Sequence, residues 1–272
     1  MPSRATLAAA AAAAAAAFAG LVLHRRRRRS PVADDDLPER IVSQHWRDEG
    51  AQPRMLSGAS PGADTLFGAA AARAGHVVVH FLGPNNEPSE TAAREQADSL
   101  CRVQRATIEH PSVTAALRDA AAARLKPLPD AWAEEWYDSR RNFLQVRRAD
   151  AVFAVGYRQP SDDPPLDIGG GTGFAVQFYV DRFRAARDAR SGLGGEPADR
   201  CKLYFFDDSS PGWSGCKVVP RTHKKWSAWD VRAQAWVPLS GKPPPPAGTW
   251  AGIGGTRLSA DGERAITELM AS

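Results

Sequence analysis

The residues of this chain best suited to chemistry are glycines set among a few polar side chains. Ile168 is followed by Gly169, Gly170, Gly171, Thr172 and Gly173, and these open the amphipathic segment Phe174-Ala175-Val176-Gln177-Phe178. Glycines let backbone N–H groups approach a ligand closely, and a helix starting there aims its positive end at the same point. Such a turn can hold a phosphate. Upstream, Arg141, Asn142 and Gln145 offer a cation for that charge and two amides that can read a sugar or a base. A second turn of small residues carries Ser57, Gly58, Gly62 and Asp64, and a third carries Gly252 and Gly254. Each feature has a plainer reading beside the ligand-binding one. The glycines can serve tight turns or close packing, Asp64 can cap a helix, and Arg141 can pair with a nearby acid such as Asp138. No residue declares itself catalytic.

Strands and helices must bring these residues together. Residues 54–58 read as a short strand, and Ala63, Leu66, Phe67, Ala70, Ala71 and Ala74 follow helical spacing. Residues 76–83 are a β-branched run ending in Gly-Pro, the pattern of a buried strand. Residues 88–147 are mostly helical in pattern, broken near Pro111 and around residues 127–129. Residues 151–157 predict a strand, 158–167 a Pro/Asp loop, 172 to near 190 a helix with Phe174, Phe178, Val180 and Phe183 on one side, and 202–206 another strand. Trp226 to Trp229 and Ala235-Trp236-Val237 predict a hairpin, and prolines 243–246 a stiff connector. Residues 249–255 repeat the strand and Gly turn, with Ser259 as N-cap of a helix ending near Met270. The alternation predicts an α/β fold: a Rossmann-like, mostly parallel sheet flanked by helices, with a Trp-rich hairpin inserted near the C-terminus, in one domain over residues 51–272. Ligands in such sheets bind beyond the carboxyl ends of the strands, where all three Gly-rich turns would gather.

Composition narrows the partners. The formal charge is +4, but Arg4 and arginines 25–29 hold six of the 35 Lys+Arg, leaving 29 against 31 Asp+Glu. The folded part is near neutral, so no specific nucleic-acid binding is expected. Cys101, Cys201 and Cys216 form no CxxC, which argues against a disulfide framework or zinc and suits a reducing compartment. Residues 1–30 read as a leader and 31–50 as a polar linker. Within the leader, residues 5–23 are an uncharged stretch with alanines 8–17 unbroken, followed by His24 and arginines 25–29. As a helix this stretch would span ~28 Å, enough for a bilayer core, with the arginines and the domain on the cytosolic side. The other readings are an Ala/Arg-rich transit peptide to a mitochondrion or plastid, with no acidic residue before Asp34, and an inert low-complexity tail.

Ser57-Gly58-Ala59-Ser60-Pro61-Gly62-Ala63-Asp64 resembles the SGGAxGAD turn of the SLOG superfamily, the Rossmann-like group that includes the lonely-guy phosphoribohydrolases and the DNA-processing protein A type. Arg141-Asn142, Asp150 and Gly169-Gly170-Gly171-Thr172 resemble its second half, where an Arg-Lys or Arg-Asn pair precedes a strand and a PGGxGT-type turn. Arg141 through Val146 is also similar to the RNxxQV segment of phage-type members. The resemblance covers roughly residues 54–206 and the C-terminal piece. It implies a nucleotide or nucleotide-derived ligand, such as a mononucleotide or an ADP-ribose-like molecule. Two departures matter. The phosphoribohydrolases carry a catalytic Glu three residues after the turn threonine, and here that position is Ala175. Alanine moves no proton, so family-type hydrolysis would need an acid/base from elsewhere, such as Glu134, Glu135 or Asp138. Ala251-Gly252-Ile253-Gly254, with Leu258-Ser259 and Gly262, resembles the AGIGSRxLTxxG opening of related members, which there is the first strand and here is the last. Circular permutation would place this strand in the sheet beside residues 54–58.

Three functions follow as expectations: a nucleotide-binding sensor module without chemistry, a nucleotide-processing hydrolase cleaving an N-glycosidic or phosphate bond, and a membrane-tethered interaction protein with a vestigial pocket. No cofactor and no metal site is expected. His76 and His80 share a strand face, but no Cys or carboxylate motif accompanies them. HExxH, GxSxG and P-loop motifs are absent, and Arg257 stands where GxGxxG needs its third glycine. The late tryptophans read either as a base-stacking platform or as hairpin core or a partner face. A homo-oligomer is compatible with all of this.

Overall fold

The computed structural model describes residues 52–124, 137–158, 168–188, 200–209 and 224–271. The leader, Glu134, Glu135 and most of the 158–167 loop lie outside the described residues. Eight strands form one sheet: β1 (Arg54–Ser57), β2 (Val77–Leu82), β3 (Leu100–Arg102), β4 (Ala151–Gly156), β5 (Lys202–Asp207), β6 (Trp226–Asp230), β7 (Ala235–Pro238) and β8 (Thr249–Gly254). Their order is β3-β2-β1-β8-β4-β5-β6-β7. The first six in that order run parallel, and the hairpin β6–β7 extends the sheet antiparallel at one end. The α/β class and the mostly parallel sheet match the sequence expectation.

The last strand sits at the centre. β8 lies between β1 and β4 and pairs in parallel with both, Met55 opposite Trp250 and Ala151 opposite Trp250. The chain runs outward from β1 to β3 in one direction and from β4 to β7 in the other, so β8 fills the place where strand order reverses. Ligands of open α/β sheets bind at that switch point.

Among the described residues seven α-helices accompany the sheet: α1 (Ala63–Arg73), α2 (Glu90–Glu95), α3 (Arg105–Ile108), α4 (Pro111–Ala123), α5 (Tyr137–Val146), α6 (Gly170–Asp188) and α7 (Ala260–Met270). Helices α1 and α7 pack together on one face, and α4, α5 and α6 on the other. The α1/α7 face closes over Met55, Phe67, Phe153, Phe206, Trp226, Trp250, Ile266 and Leu269. Trp250 is fully buried and meets Phe67 and Phe153 edge-on, with ring centroids 6.0 and 5.6 Å away. Trp226 and Trp250 are therefore core residues. On the other face α6 lies between the sheet and two helices, so its first turns are buried on every side, from Phe174 to Val180.

Two details differ from the sequence expectation. β3 interrupts the stretch read as helical; three residues at a sheet edge are too few to show alternation. Helix α6 starts at Gly170, so the glycines form its first turn and not a loop before it. The expected Trp-rich hairpin is present as the antiparallel edge of the main sheet. Among the described residues no helix is long and apolar enough to cross a membrane.

Candidate functional site

Helices α1, α7 and α6 begin at the carboxyl rim of the sheet after the central strands β1, β8 and β4. Each brings backbone N–H groups that lack an intrahelical acceptor. Among the described residues, two of these ends are closed by internal partners and the third is exposed.

The α1 end is closed. Gly62 precedes the helix with φ of +82°, and a Cβ there would stand 2.5 Å from the Gly255 carbonyl. The Ala63 N–H donates to that carbonyl at 3.1 Å. The Ser57 hydroxyl, fully buried, donates to the Gly252 carbonyl at 2.8 Å. The Asp64 carboxylate accepts from the backbone N–H groups of Gly254, Ser60 and Gly58, with Arg141 Nη2 3.9 Å away. An internal carboxylate thus occupies the place an external anion would take. Gly252 lies under the Phe67 ring, and Gly254 packs against the Val155 carbonyl and the Ala63 methyl. Ser57, Gly62, Asp64, Gly252 and Gly254, all singled out in the sequence, tie β1 to β8.

The α7 end is closed as well. The Ser259 N–H donates to Asp208 Oδ2 at 2.8 Å, and its hydroxyl donates to Oδ1 of the same carboxylate. Asp208 is fully buried. The sequence reading missed it, although an acid just beyond a strand's carboxyl end, facing an N-cap serine, was the available signal.

The α6 end is open. Gly170 and Gly171 are exposed, while Gly169, Thr172 and Gly173 are buried behind them. The Gly169 N–H is taken by the Tyr157 carbonyl at 3.0 Å, and the Gly173 N–H by the Gly169 carbonyl at 3.2 Å.

Helix α5 spans from this open end to the β1 turn. Asn142 Nδ2 donates to the Gly171 carbonyl at 3.0 Å, and Arg141 Nη1 to the Gly58 carbonyl at 2.9 Å. One turn on, Gln145 is 1% exposed, and neither its amide oxygen nor its amide nitrogen has a partner. A Cβ on Gly58 would fall 2.5 Å from Gln145 Nε2 and 2.6 Å from the Arg141 guanidinium, so only glycine lets both side chains lie against the turn. Leaving a buried amide unpaired costs about 1–3 kcal/mol per group. The sequence thus placed Gly58, Arg141, Asn142, Gln145 and the glycine turn together, as the structure does.

Other groups have local tasks. Asp138 is exposed on the first turn of α5, 3.6 Å from Arg141 Nη1, and accepts from Asn86 Nδ2. Asp150 lies at the opposite end of the sheet, accepting from the Thr249 N–H at 2.9 Å. His80 is fully buried: Nδ1 accepts from the Ala59 N–H at 3.2 Å, and Nε2 meets Gln96 Oε1. Burial holds its pKa below the ordinary value, and the neutral ring pins the turn that bears Gly58. His76 Nδ1 faces the Trp250 indole N–H at 3.1 Å. Ala175 is fully buried.

Burial pushes the Asp64 carboxyl up to about 6; the Arg141 charge and three backbone N–H groups pull it down without cancelling the burial. A raised carboxyl pKa favours the folded state while the group is protonated. That contribution is full below about pH 4 and fades as pH rises through about 6. The displacement corresponds to on the order of 3 kcal/mol. Urea unfolding at pH 4, 5, 6 and 7 should show stability rising more steeply with pH in Asp64→Asn than in the wild type; parallel profiles would contradict the assignment.

Compared with protein-family models, curated proteins and solved structures, the chain matches none of them.

Proposed function

We propose that this chain binds a nucleotide or nucleotide-derived ligand at the open start of α6, as a sensor or binding module. The observation that carries this reading is the fully buried, unpartnered amide of Gln145, one turn beyond the residues that link the exposed Gly170–Gly171 end to the Gly58 turn. In it the α6 N–H groups receive phosphate, Arg141 neutralises charge, and Asn142 and Gln145 read sugar or base. The order of motifs supports a SLOG-type domain, and the central position of β8 supports a circularly permuted one. The leader reading belongs to the same proposal: residues 5–23 anchor the domain at a membrane facing the cytosol or direct it to an organelle.

A second reading has one observation in its favour. The Asp138 carboxylate is exposed beside Arg141, where it could serve as the acid/base of a hydrolase in place of the glutamate replaced by Ala175. Incubation of the full chain with nucleoside monophosphates and with NAD separates the two. Binding at 100 times Kd should stabilise folding by about 2.7 kcal/mol, with no base released. Release of free base that Asp138→Asn abolishes would establish the hydrolase instead. Neither stabilisation nor release would remove both readings.

A further inference from the structure

On the α6 side of the sheet, past β5, lies an aromatic strip that the phosphate site does not use. Trp229 and Trp236 are directly opposed across the β6–β7 hairpin, with ring centroids 5.1 Å apart and planes at 64°. Phe205 of β5 lies 5.5 Å from Trp236, and the Arg158 guanidinium sits 5.5 Å from the Phe205 ring and 5.8 Å from that of Trp236. Both indole Nε1 atoms are buried and have no hydrogen-bond acceptor among the described residues. Trp229 is 4% exposed, whereas Trp236 remains partly open. Buried donors without acceptors are uncommon and costly, and two on one cross-strand pair ask for a ligand with acceptor atoms and a flat face.

We propose that this strip is the base subsite of the ligand whose phosphate lies at α6, and that it takes a nucleobase. The proposal rests on the phosphate-site reading above. A nucleobase offers a π-face to Trp236 and ring nitrogens or a carbonyl to the indole N–H donors, and the Arg158 guanidinium supplies a second flat, cationic surface. The two subsites are connected. Arg158 bridges through its backbone to Ile168, two residues ahead of Gly170. Trp236 lies on β7, three strand spacings or about 14 Å from β4, and the Arg158 side chain, 5.8 Å from its ring, spans part of that interval. Trp226 and Trp250 are core residues of the opposite face and take no part.

Calorimetric titration of the full chain with 5′-AMP and with ribose 5-phosphate tests the subsite, in the wild type, Trp236→Phe, Trp236→Ala and Gly171→Asp. The wild type should bind 5′-AMP on the order of 10-fold or more tightly than ribose 5-phosphate. Trp236→Ala should erase that preference and leave ribose 5-phosphate affinity unchanged. Trp236→Phe, which keeps a ring and lacks the N–H, should lose part of the preference, and it decides the matter if the alanine variant does not fold. An unchanged preference in the Trp236 variants, with both probes lost in Gly171→Asp, overturns the base subsite and leaves the phosphate site standing. If the wild type binds neither probe, both fall together.

Discussion

Replacing Arg141 with methionine should lower folding stability by about 3–5 kcal/mol at neutral pH, the usual cost of breaking a buried ion pair from one side. The side chains of Arg141 and Asp64 are 5% and 6% exposed, so neither charge can turn to water. Methionine fills much of the volume but leaves the carboxylate with backbone donors alone, and it removes the donor to the Gly58 carbonyl. The Asp64 pKa, already raised by burial, should rise further without the cation that opposes it. The loss should therefore be smaller at pH 4 than at pH 7, and Arg141→Met combined with Asp64→Asn should recover part of it. Urea unfolding of the two single variants and the double variant measures each term. A cost under about 1 kcal/mol, with no coupling to Asp64, would mean that the pair does not organise the turn.

Gly62→Ala should cost on the order of 2–5 kcal/mol. About 1–2 kcal/mol comes from forcing a side chain into the left-handed region, and about 1–3 kcal/mol from overpacking. The would-be methyl group stands 2.5 Å from the Gly255 carbonyl and 2.6 Å from the Thr256 carbonyl carbon, both backbone atoms that cannot swing aside. The change would pry the β1 turn from the β8 turn and disturb the Ala63 bond to Gly255. Thermal unfolding should show a fall in Tm of several degrees or more, and a Tm equal to that of the wild type would contradict the placement of the two turns.

The fold was largely legible because its strands are apolar runs ended by glycine or proline and its helices carry clear stripes, as in residues 77–82 and 170–183. β3 was not legible, since Leu100-Cys101-Arg102 holds too few residues for a pattern. The candidate site was legible in part. Arg141, Asn142 and Gln145 and the glycine turn carried the right residue types in the right order. What the sequence could not tell was which glycine turns stay open. Gly62, Gly252 and Gly254 look like ligand-lining glycines in one dimension, yet they serve contacts between β1, β8 and α1 that exist only once β8 inserts at the centre. The pairing of Asp208 with Ser259 was hidden for the same reason, because the same insertion brings the two together; the acid's place just beyond a strand was the one legible sign. Likewise, Trp226 and Trp229 are three residues apart, but strand alternation sends them to opposite faces, one into the core and one onto the aromatic strip.

In the function we propose, backbone N–H groups at the exposed start of α6 receive an anionic ligand. The most direct measurement is calorimetric titration of the full chain with 5′-AMP at two salt concentrations, in the wild type and in Gly171→Asp. Gly171 is exposed, and a Cβ there would meet Asn142 Nδ2 at 3.3 Å, a tight contact that the amide end of a side chain relieves by shifting a few tenths of an ångström, so the variant should fold. Its carboxylate would then occupy the place of the phosphate. Binding by the wild type that weakens with salt and disappears in Gly171→Asp at unchanged Tm is the expected result; equal binding by both proteins would contradict it.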